Sequence, residues 1–460
     1  MVPGALTDPR GIQEIGRARD LLLSVPSRWR VIYHNDGDGI ASASVLAHAL
    51  ARLGRPFQLT PLVGIEETRL RDLLRATRGP VLVADTGSSF LPLFAEHPHP
   101  VVVLDHHIPP EGPWESPHVA FVNPHHWDVD GMSELSASML SYVFARSLSE
   151  ENLDLLAWGL SGAIADRQHV GGFRGLNGRL LEEGERAGVV RRLRSLSLAG
   201  ESLLEAITRS VDPYYVGLSG DPDGTRAFLA RLGLSPRAPP SSLSPEESER
   251  LGSALLLRLM DQGARPEFCE RVSEERFLLP RLPGEALEVS RLQNAAAREG
   301  EASVGVALAL GDRSAWERAV RLEAAWRQGI LQGLKRLEGP QGVTRRGAIQ
   351  WFATPDVPLA GTIAGLGLTY FLDPTRPVFS FSESEGRIKV SARGTLWLTG
   401  RGLDLAAVCR EAAKAVGGEG GGHRVASGAT LPAGSQERFL SEADRRVGDQ
   451  LTRIEAAKVA

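Results

Sequence analysis

Short β-branched apolar runs recur through the first part of this chain, and each stops at a carboxylate or an imidazole. Arg30 to His34 leads into His34-Asn35-Asp36-Gly37-Asp38, Val81 to Ala84 leads into Asp85, and Val101 to Leu104 leads into Asp105-His106-His107. Runs this short and this apolar suit parallel strands covered on both faces. Helical stretches lie between and after them: Ile40 to Leu53, Ser133 to Ala145, and Leu153 to Ile164, with Asp166 close behind the last. Strands alternating with helices predict an α/β fold built on a parallel sheet. The carboxyl ends of such strands line one crevice. Three strand ends and one helix end would then offer oxygen and imidazole donors to a common point. That convergence suits a two-metal site and the hydrolysis of a phosphate ester or anhydride.

At 460 residues the chain is too long for one ordinary core. The strand–helix alternation marks residues 1–180 as the first α/β domain. Residues 181–299 read as a helical connector carrying an insertion, Leu- and Arg-rich, broken by the Pro/Ser-rich Ser235 to Ser244. A smaller α/β domain is expected at 300–435. Its strands are placed at Val304 to Leu310, Ile349 to Ala353, Val378 to Ser382 and Arg387 to Ala392, its helices at Trp316 to Leu337 and Asp404 to Val416, and a glycine loop at Gly417 to Gly422. Residues 436–460 read as a helical tail.

The charge is uneven. Residues 1–180 carry 15 Lys and Arg against 20 Asp and Glu, whereas 300–435 carry 16 against 12. An acidic metal site in one part and a mildly basic surface in another would suit a polyanionic substrate. No run approaches the roughly 18 apolar residues of a membrane span, and the first 30 residues hold Asp8, Glu14 and Asp20 with no long apolar core, so no signal peptide is expected. The cysteines, Cys269 and Cys409, are too few for a disulfide framework and read as small buried hydrophobes. A soluble cytoplasmic protein is expected.

Each cluster alone has a plain alternative. An Asp-x-Asp in a glycine turn is common turn chemistry, Asp85 could serve as an N-cap, and Asp166 could be a cap for the segment after its helix. Paired histidines after an apolar strand are more pointed. Seven of the eleven histidines fall between 97 and 126. His97, His99, His118, His125 and His126 lack a strand-end placement and are expected at the surface or behind the ligands. The glycines Gly420 to Gly422 would let backbone N–H groups approach an anion, with His423 and Arg393 adding charge.

The set His34-x-Asp36-x-Asp38-Gly, Asp85, Asp105-His106-His107 and Gly162 to Gln168, ending Ala165-Asp166-Arg167-Gln168, resembles the four motifs of the DHH phosphoesterase superfamily. Gly420-Gly421-Gly422-His423 through Ala429, preceded by Ser391-Ala392-Arg393-Gly394, resembles the associated DHHA1 domain. Arg291 to Arg298, with Asn294-Ala295 and Arg298, resembles the RecJ-type linker. The likeness runs over about 30–435 and lies nearest to archaeal RecJ-like proteins of the GINS-associated nuclease type; bacterial RecJ has Asp where this chain has His34. It implies a parallel-sheet DHH domain and a smaller DHHA1 domain joined by a helical connector. It implies two divalent cations, Mn²⁺ or Mg²⁺, one on His34, Asp36 and Asp85, the other on Asp38, Asp85, His106 and Asp166. Asp85 would bridge them, His107 would contact the scissile phosphate, and Asp105 would orient a histidine. Substrate contacts would come from Ser391, Arg393, Gly421, Gly422, His423, Asn294 and Arg298. The expected activity is single-strand-specific exonuclease hydrolysis of DNA or RNA to mononucleotides between two lobes, in replication or repair, with GINS as a possible type of partner. Alternatives are a phosphatase or nanoRNase on short oligonucleotides or phosphoanhydrides, and a replication scaffold with little activity.

Overall fold

The protein is described by a computed structural model covering residues 3–459 except 65, 66, 113, 283, 356 and 385, with backbone alone for 453–459. The chain divides into two compact units, Met1–Arg194 with Glu275–Ala324, and Ser195–Glu274 with Ala325–Ala460. These units cut across the expected division into 1–180, 181–299, 300–435 and 436–460.

The first unit holds five parallel strands, β1 (Trp29–His34), β2 (Phe57–Leu62), β3 (Val81–Ala84), β4 (Val101–Leu104) and β5 (Val119–Val122), in the order β2-β1-β3-β4-β5. Successive strand residues point to opposite faces, and both faces are buried. Val31, Tyr33, Leu82, Ala84, Val102 and Leu104 enter one core with the helices Pro9–Ser24, Gly37–Arg52, Ala137–Leu148 and Leu156–Ala165. Ile32, Val81, Val83, Val101 and Val103 enter another with Leu70, Leu74, Leu91 and Phe94. Every residue of β3 and β4 is therefore apolar, and their alternation is invisible in a hydropathy profile.

The helix Gly37–Arg52 starts where Asp36 caps it, accepting from Gly39 N at 3.0 Å. It runs through the middle of the unit, buried from Gly37 to Leu50 apart from His48. Residues 302–309 are a helix, not the strand expected at Val304 to Leu310. An unbroken apolar run has no period to separate the two forms. Packing decides: Gly305 lies against Ile40, and His48 Nε2 sits 2.8 Å from the terminal Ala309 carbonyl.

Strands β6 (Arg191–Leu196) and β7 (Ser273–Leu278) form a two-stranded sheet in a region with few strand signals in its sequence. In the second unit, β8 (Thr344–Arg346), β9 (Ile349–Ala353), β10 (Val378–Ser384), β11 (Arg387–Arg393), β12 (Glu419–Gly422) and β13 (Ala426–Pro432) form a sheet of order β12-β13-β11-β10-β9-β8. Only β9 and β10 pair in parallel. Part of the expected glycine loop is thus the edge strand β12, with Gly420 pairing to Ala429. Helices Leu405–Lys414 and Gln436–Val459 contribute Val408, Cys409, Phe439 and Val447 to this sheet's core. Cys269 and Cys409 are both buried and unpaired. Among the described residues no helix is long and apolar enough to cross a membrane.

Leu82→Ala, at a fully buried position of the sheet, should destabilise the first unit by about 2–5 kcal/mol. Val63→Ala, at a 45% exposed position, should stay within about 0.5 kcal/mol. Denaturant unfolding of both variants checks this; equal shifts would contradict the two-faced burial of the sheet.

Candidate metal centre

The crevice at the ends of β1, β3 and β4 gathers the residues singled out in the sequence. His34 ends β1 and Asp36 caps the following helix. Asp38, in the first turn of that helix, is fully buried. Its carboxylate accepts from Ala137 N at 2.8 Å and Ser138 N at 3.1 Å. Those amides open the Ala137–Leu148 helix, an anion site by charge and geometry. Asp85 follows β3 in the left-handed region, φ 61°, which Asp tolerates better than most side chains. Asp166 is the C-cap of the Leu156–Ala165 helix.

His106 and His107 are set differently. His106 Nδ1 lies 2.7 Å from the Gly131 carbonyl. A carbonyl only accepts, so Nδ1 carries the hydrogen and Nε2 is left for the pocket. There it lies 3.3 Å from Asp85 and 3.5 Å from Asp166. His107 Nδ1 lies 2.8 Å from Asp105, whose other oxygen accepts from Ser88 N at 2.8 Å. Three groups have ligand atoms within 4.8 Å of one another: His34, Asp36 and Asp85; Asp38, His106 and Asp166; Asp85, His106 and His107. Asp85 and His106 each belong to two, which links the three.

Charge in this pocket is tightly coupled. Burial and the neighbouring Asp85 raise Asp38 to about 7. Burial raises Asp85 and Asp166 too. Burial opposes the charged form of His34, but the carboxylates of Asp36 and Asp85 outweigh it and raise His34 to about 11. His106 is raised against its burial by Asp85, Asp38 and Asp166. Asp36 is lowered, its burial outweighed by His34. Four carboxylates in one buried crevice call for compensating positive charge.

The residues fit hard divalent cations. The donors are carboxylate oxygens and imidazole nitrogens, the set that suits Mg²⁺ or Mn²⁺ rather than a thiolate-bound structural zinc. Asp85 Oδ2 and His34 Nδ1 are buried, and among the described residues neither makes a well-formed hydrogen bond, although His34 Nδ1 lies 2.8 Å from Asp36. Such atoms are left open when a ligand is meant to complete them.

Other expected residues take up varied positions. Asn294 sits beside Gly37, on the helix Ala286–Arg298, and Arg298 is exposed one turn further on. In the second unit, Ser391 pairs with Gly428 and Gly428 with Gly421, so three adjacent strands share a row of small residues. Beyond the row of Ala392, Ser427 and Gly422, Arg393 pairs with Ala426, and Ala426 exchanges backbone bonds with His423 at the hairpin turn. Gly422 ends β12, and the Arg393 guanidinium lies against Gly361. His97, expected at the surface or behind the ligands, is buried, with Nε2 2.9 Å from the Gly79 carbonyl.

Asn123 and Gly131 are supports that the sequence alone does not reveal, and Gln168, the last residue of the fourth motif, joins them. Asn123 Nδ2 donates to the His107 carbonyl at 2.9 Å and to Ser88 Oγ at 3.1 Å. Gln168 Nε2 shares the Gly131 carbonyl with His106. Asn123 follows β5 directly, and its strand-end position is the available signal.

A parallel α/β unit with carboxylates and imidazoles at its strand ends has the build of a phosphoesterase. Known proteins agree: residues 29–160 match the DHH family, N-terminal domain, and residues 360–449 match the DHHA1 domain. The chain thus carries a DHH-family N-terminal domain followed by a DHHA1 domain, and its fold is RecJ-like. An uncharacterised protein of Methanocaldococcus jannaschii is 28% identical over 96% of this chain and 98% of its own length. Thermus thermophilus RecJ in complex with Mn²⁺ superposes with a TM-score of 0.58 at 20% identity, over 97% of this chain but 56% of that one. This chain thus spans just over half of that RecJ. Exonuclease RecJ bound to manganese gives 0.60 at 18% over 98% of both chains. CDC45 from Entamoeba histolytica gives 0.65 at 9% over 96% and 99%.

Gly162 faces Asp38 Oδ1 and Ser138 Oγ so closely that a Cβ would overlap both. Gly162→Ala should therefore move Asp38 and lower Mn²⁺ affinity by about 10- to 100-fold. Gly16→Ala, with open space around it, should leave affinity unchanged. Titration calorimetry with Mn²⁺ checks both, and unchanged affinity in Gly162→Ala would detach Asp38 from metal binding.

Proposed function

We propose that this protein is a metal-dependent exonuclease that hydrolyses single-stranded DNA or RNA to mononucleotides. The observation that carries the reading is the linked pair of ligand groups, His34–Asp36–Asp85 and Asp38–His106–Asp166. Cations would be held by His34, Asp36 and Asp85, and by Asp38, Asp85, His106 and Asp166, with Asp85 common to both. Mn²⁺ or Mg²⁺ supplies Lewis acidity toward water and the phosphoryl oxygens when bound.

The chain's own groups do the rest. The helix amides favour the ionised form of Asp38 that a ligand needs, opposing in part the burial and the Asp85 charge that raise it, and the Gly131 carbonyl keeps the His106 Nε2 lone pair facing the pocket. Asp105 accepts a hydrogen bond from His107 Nδ1–H. A second donor, Nε2–H toward a phosphate oxygen, then requires the protonated ring. Asp105 favours that form and raises His107 above its ordinary value. In the second unit, the small-residue row of Ser391, Gly428 and Gly421 lets a sugar–phosphate backbone come close. Arg393, which pairs with Ala426 two residues along β11, and His423, bonded to Ala426 at the turn, would contact phosphates. Asn294 and Arg298 would extend the contacts on the first unit. Likeness to RecJ supports a polymeric substrate, and the full donor set weighs against a scaffold. A partner of the GINS type is part of the proposal on family resemblance alone.

End-labelled single-stranded DNA and RNA incubated with Mn²⁺ should give mononucleotides. Asp85→Ala should slow this by three orders of magnitude or more, about 4 kcal/mol of barrier. Cleavage of dinucleotides alone would favour the short-oligonucleotide enzyme, and no cleavage the scaffold. Asp105→Asn should move the alkaline limb of the kcat/KM profile to lower pH, because His107 then loses its proton earlier. An unmoved limb would remove His107 protonation from the reaction.

A further inference from the structure

Outside every motif that the proposed activity uses, the second unit exposes an apolar pair. Leu396 is 76% and Trp397 50% exposed. Among its described residues from 325 onward, these are the large hydrophobic side chains left exposed. They lie on the short helix Leu396–Gly400, anchored from below by buried Leu398. The Arg401 guanidinium lies over the Trp397 ring, 4.6 Å from its centroid.

The pair is tied to the phosphate-contacting row. Gly394 N, next to Arg393, donates to the Val425 carbonyl at 2.8 Å. Arg424 Nη2 donates to the Thr399 carbonyl, in the same short helix, at 3.3 Å. The short helix that carries the indole is thus bonded to the turn that joins His423 to Ala426, with Arg401 over the indole and Arg424 reaching the helix from the turn. Asp404, the acid nearest in sequence, is engaged in capping the helix Leu405–Lys414, accepting from Ala407 N at 3.0 Å.

We propose that Trp397, backed by Arg401 and flanked by Leu396, is a stacking platform for a base of the single strand. A protein partner would be met by a broader apolar patch with a polar rim. Here two apolar side chains sit among arginines, the pattern that receives an aromatic base on a polyanionic backbone. Stacking also works on every base, so the platform adds grip without sequence choice. This inference rests on the single-strand reading above and adds a base contact to its phosphate contacts.

The test is binding of a 20-nucleotide single-stranded DNA, followed by fluorescence anisotropy in EDTA to prevent cleavage. Trp397→Ala should weaken binding about tenfold, the ratio expected of one stacked base, and Trp397→Phe should keep most of the affinity. An abasic site scanned along the strand should weaken binding to the wild type at one or two positions and have no effect there on Trp397→Ala. Equal affinity of wild type and Trp397→Ala, or an abasic scan that is flat for the wild type, overturns the platform while leaving the single-strand reading intact. A wild type that does not bind the strand at all overturns that reading, and the platform with it. If Trp397→Ala fails to fold, Trp397→Phe and the wild-type abasic scan still decide the matter.

Discussion

Repulsion among Asp36, Asp38, Asp85 and Asp166 is the constraint around which the first unit is built. Desolvating one carboxylate costs several kcal/mol. The helix terminus facing Asp38 returns about 0.3–2 kcal/mol, so the backbone alone does not close the gap. Positive charge must, from protons on His34 and His106 or from divalent cations. The second source would release the histidines to act as neutral ligands, through Nδ1 of His34 and Nε2 of His106, the nitrogens that face the acids. Gly131 fixes His106 through Nδ1, and that choice leaves one nitrogen committed to structure and the other open to the pocket.

Holding those charges in register takes close packing as well as hydrogen bonds. The helices Gly37–Arg52 and Leu156–Ala165 approach closely enough that position 162 has no room for a methyl group beside Asp38. The helix Gly37–Arg52 carries Ala and Ser along much of its length, which lets helices from several directions reach it. Asp85 adds a left-handed backbone at the end of β3, tied by its N–H to the Leu104 carbonyl at 3.0 Å. These features are local departures from what stability alone would choose, and such departures cluster at functional sites.

The candidate ligand set is legible because strand ends are legible: each cluster alone has a plain alternative, but the ends of parallel strands share one crevice, so the clusters are read together. The supports are not. Gly131 acts through a carbonyl that any residue possesses, and Asn123 works through a contact with His107 that only the fold creates. The strand expected at Val304 to Leu310 fails because an unbroken apolar sequence carries no period that distinguishes helix from strand, although the helix it forms buries mainly Gly305, Val306, Leu308 and Ala309. Edge strand β12 is hidden by its own composition, since Glu-Gly-Gly-Gly has almost no strand propensity and pairs only because β13 supplies a partner. The unit boundaries are hidden too, since residues 275–324 return to the first unit after an excursion of 80 residues, and sequence order carries no trace of that return.

Fold likeness by itself does not choose among activities here. A RecJ bound to manganese and a CDC45 superpose on this chain about equally well, with TM-scores of 0.60 and 0.65 at 18% and 9% identity. A backbone shared at such distances reports the layering of strands and helices, and one architecture can hold working and silent sites alike. The side chains at the strand ends separate those cases. A scaffold would have no use for four mutually repelling acids in a buried crevice, because any one of them exchanged for a neutral residue would relieve the repulsion. In this chain all four are present, two imidazoles face them, and Asp85 Oδ2 is buried with no hydrogen-bond partner among the described residues. A protein that keeps so unfavourable a cluster, and supports it through Asn123, Gly131 and the amides of Ala137 and Ser138, gains something from the charge itself. Divalent cations and a phosphate substrate are what that charge arrangement suits.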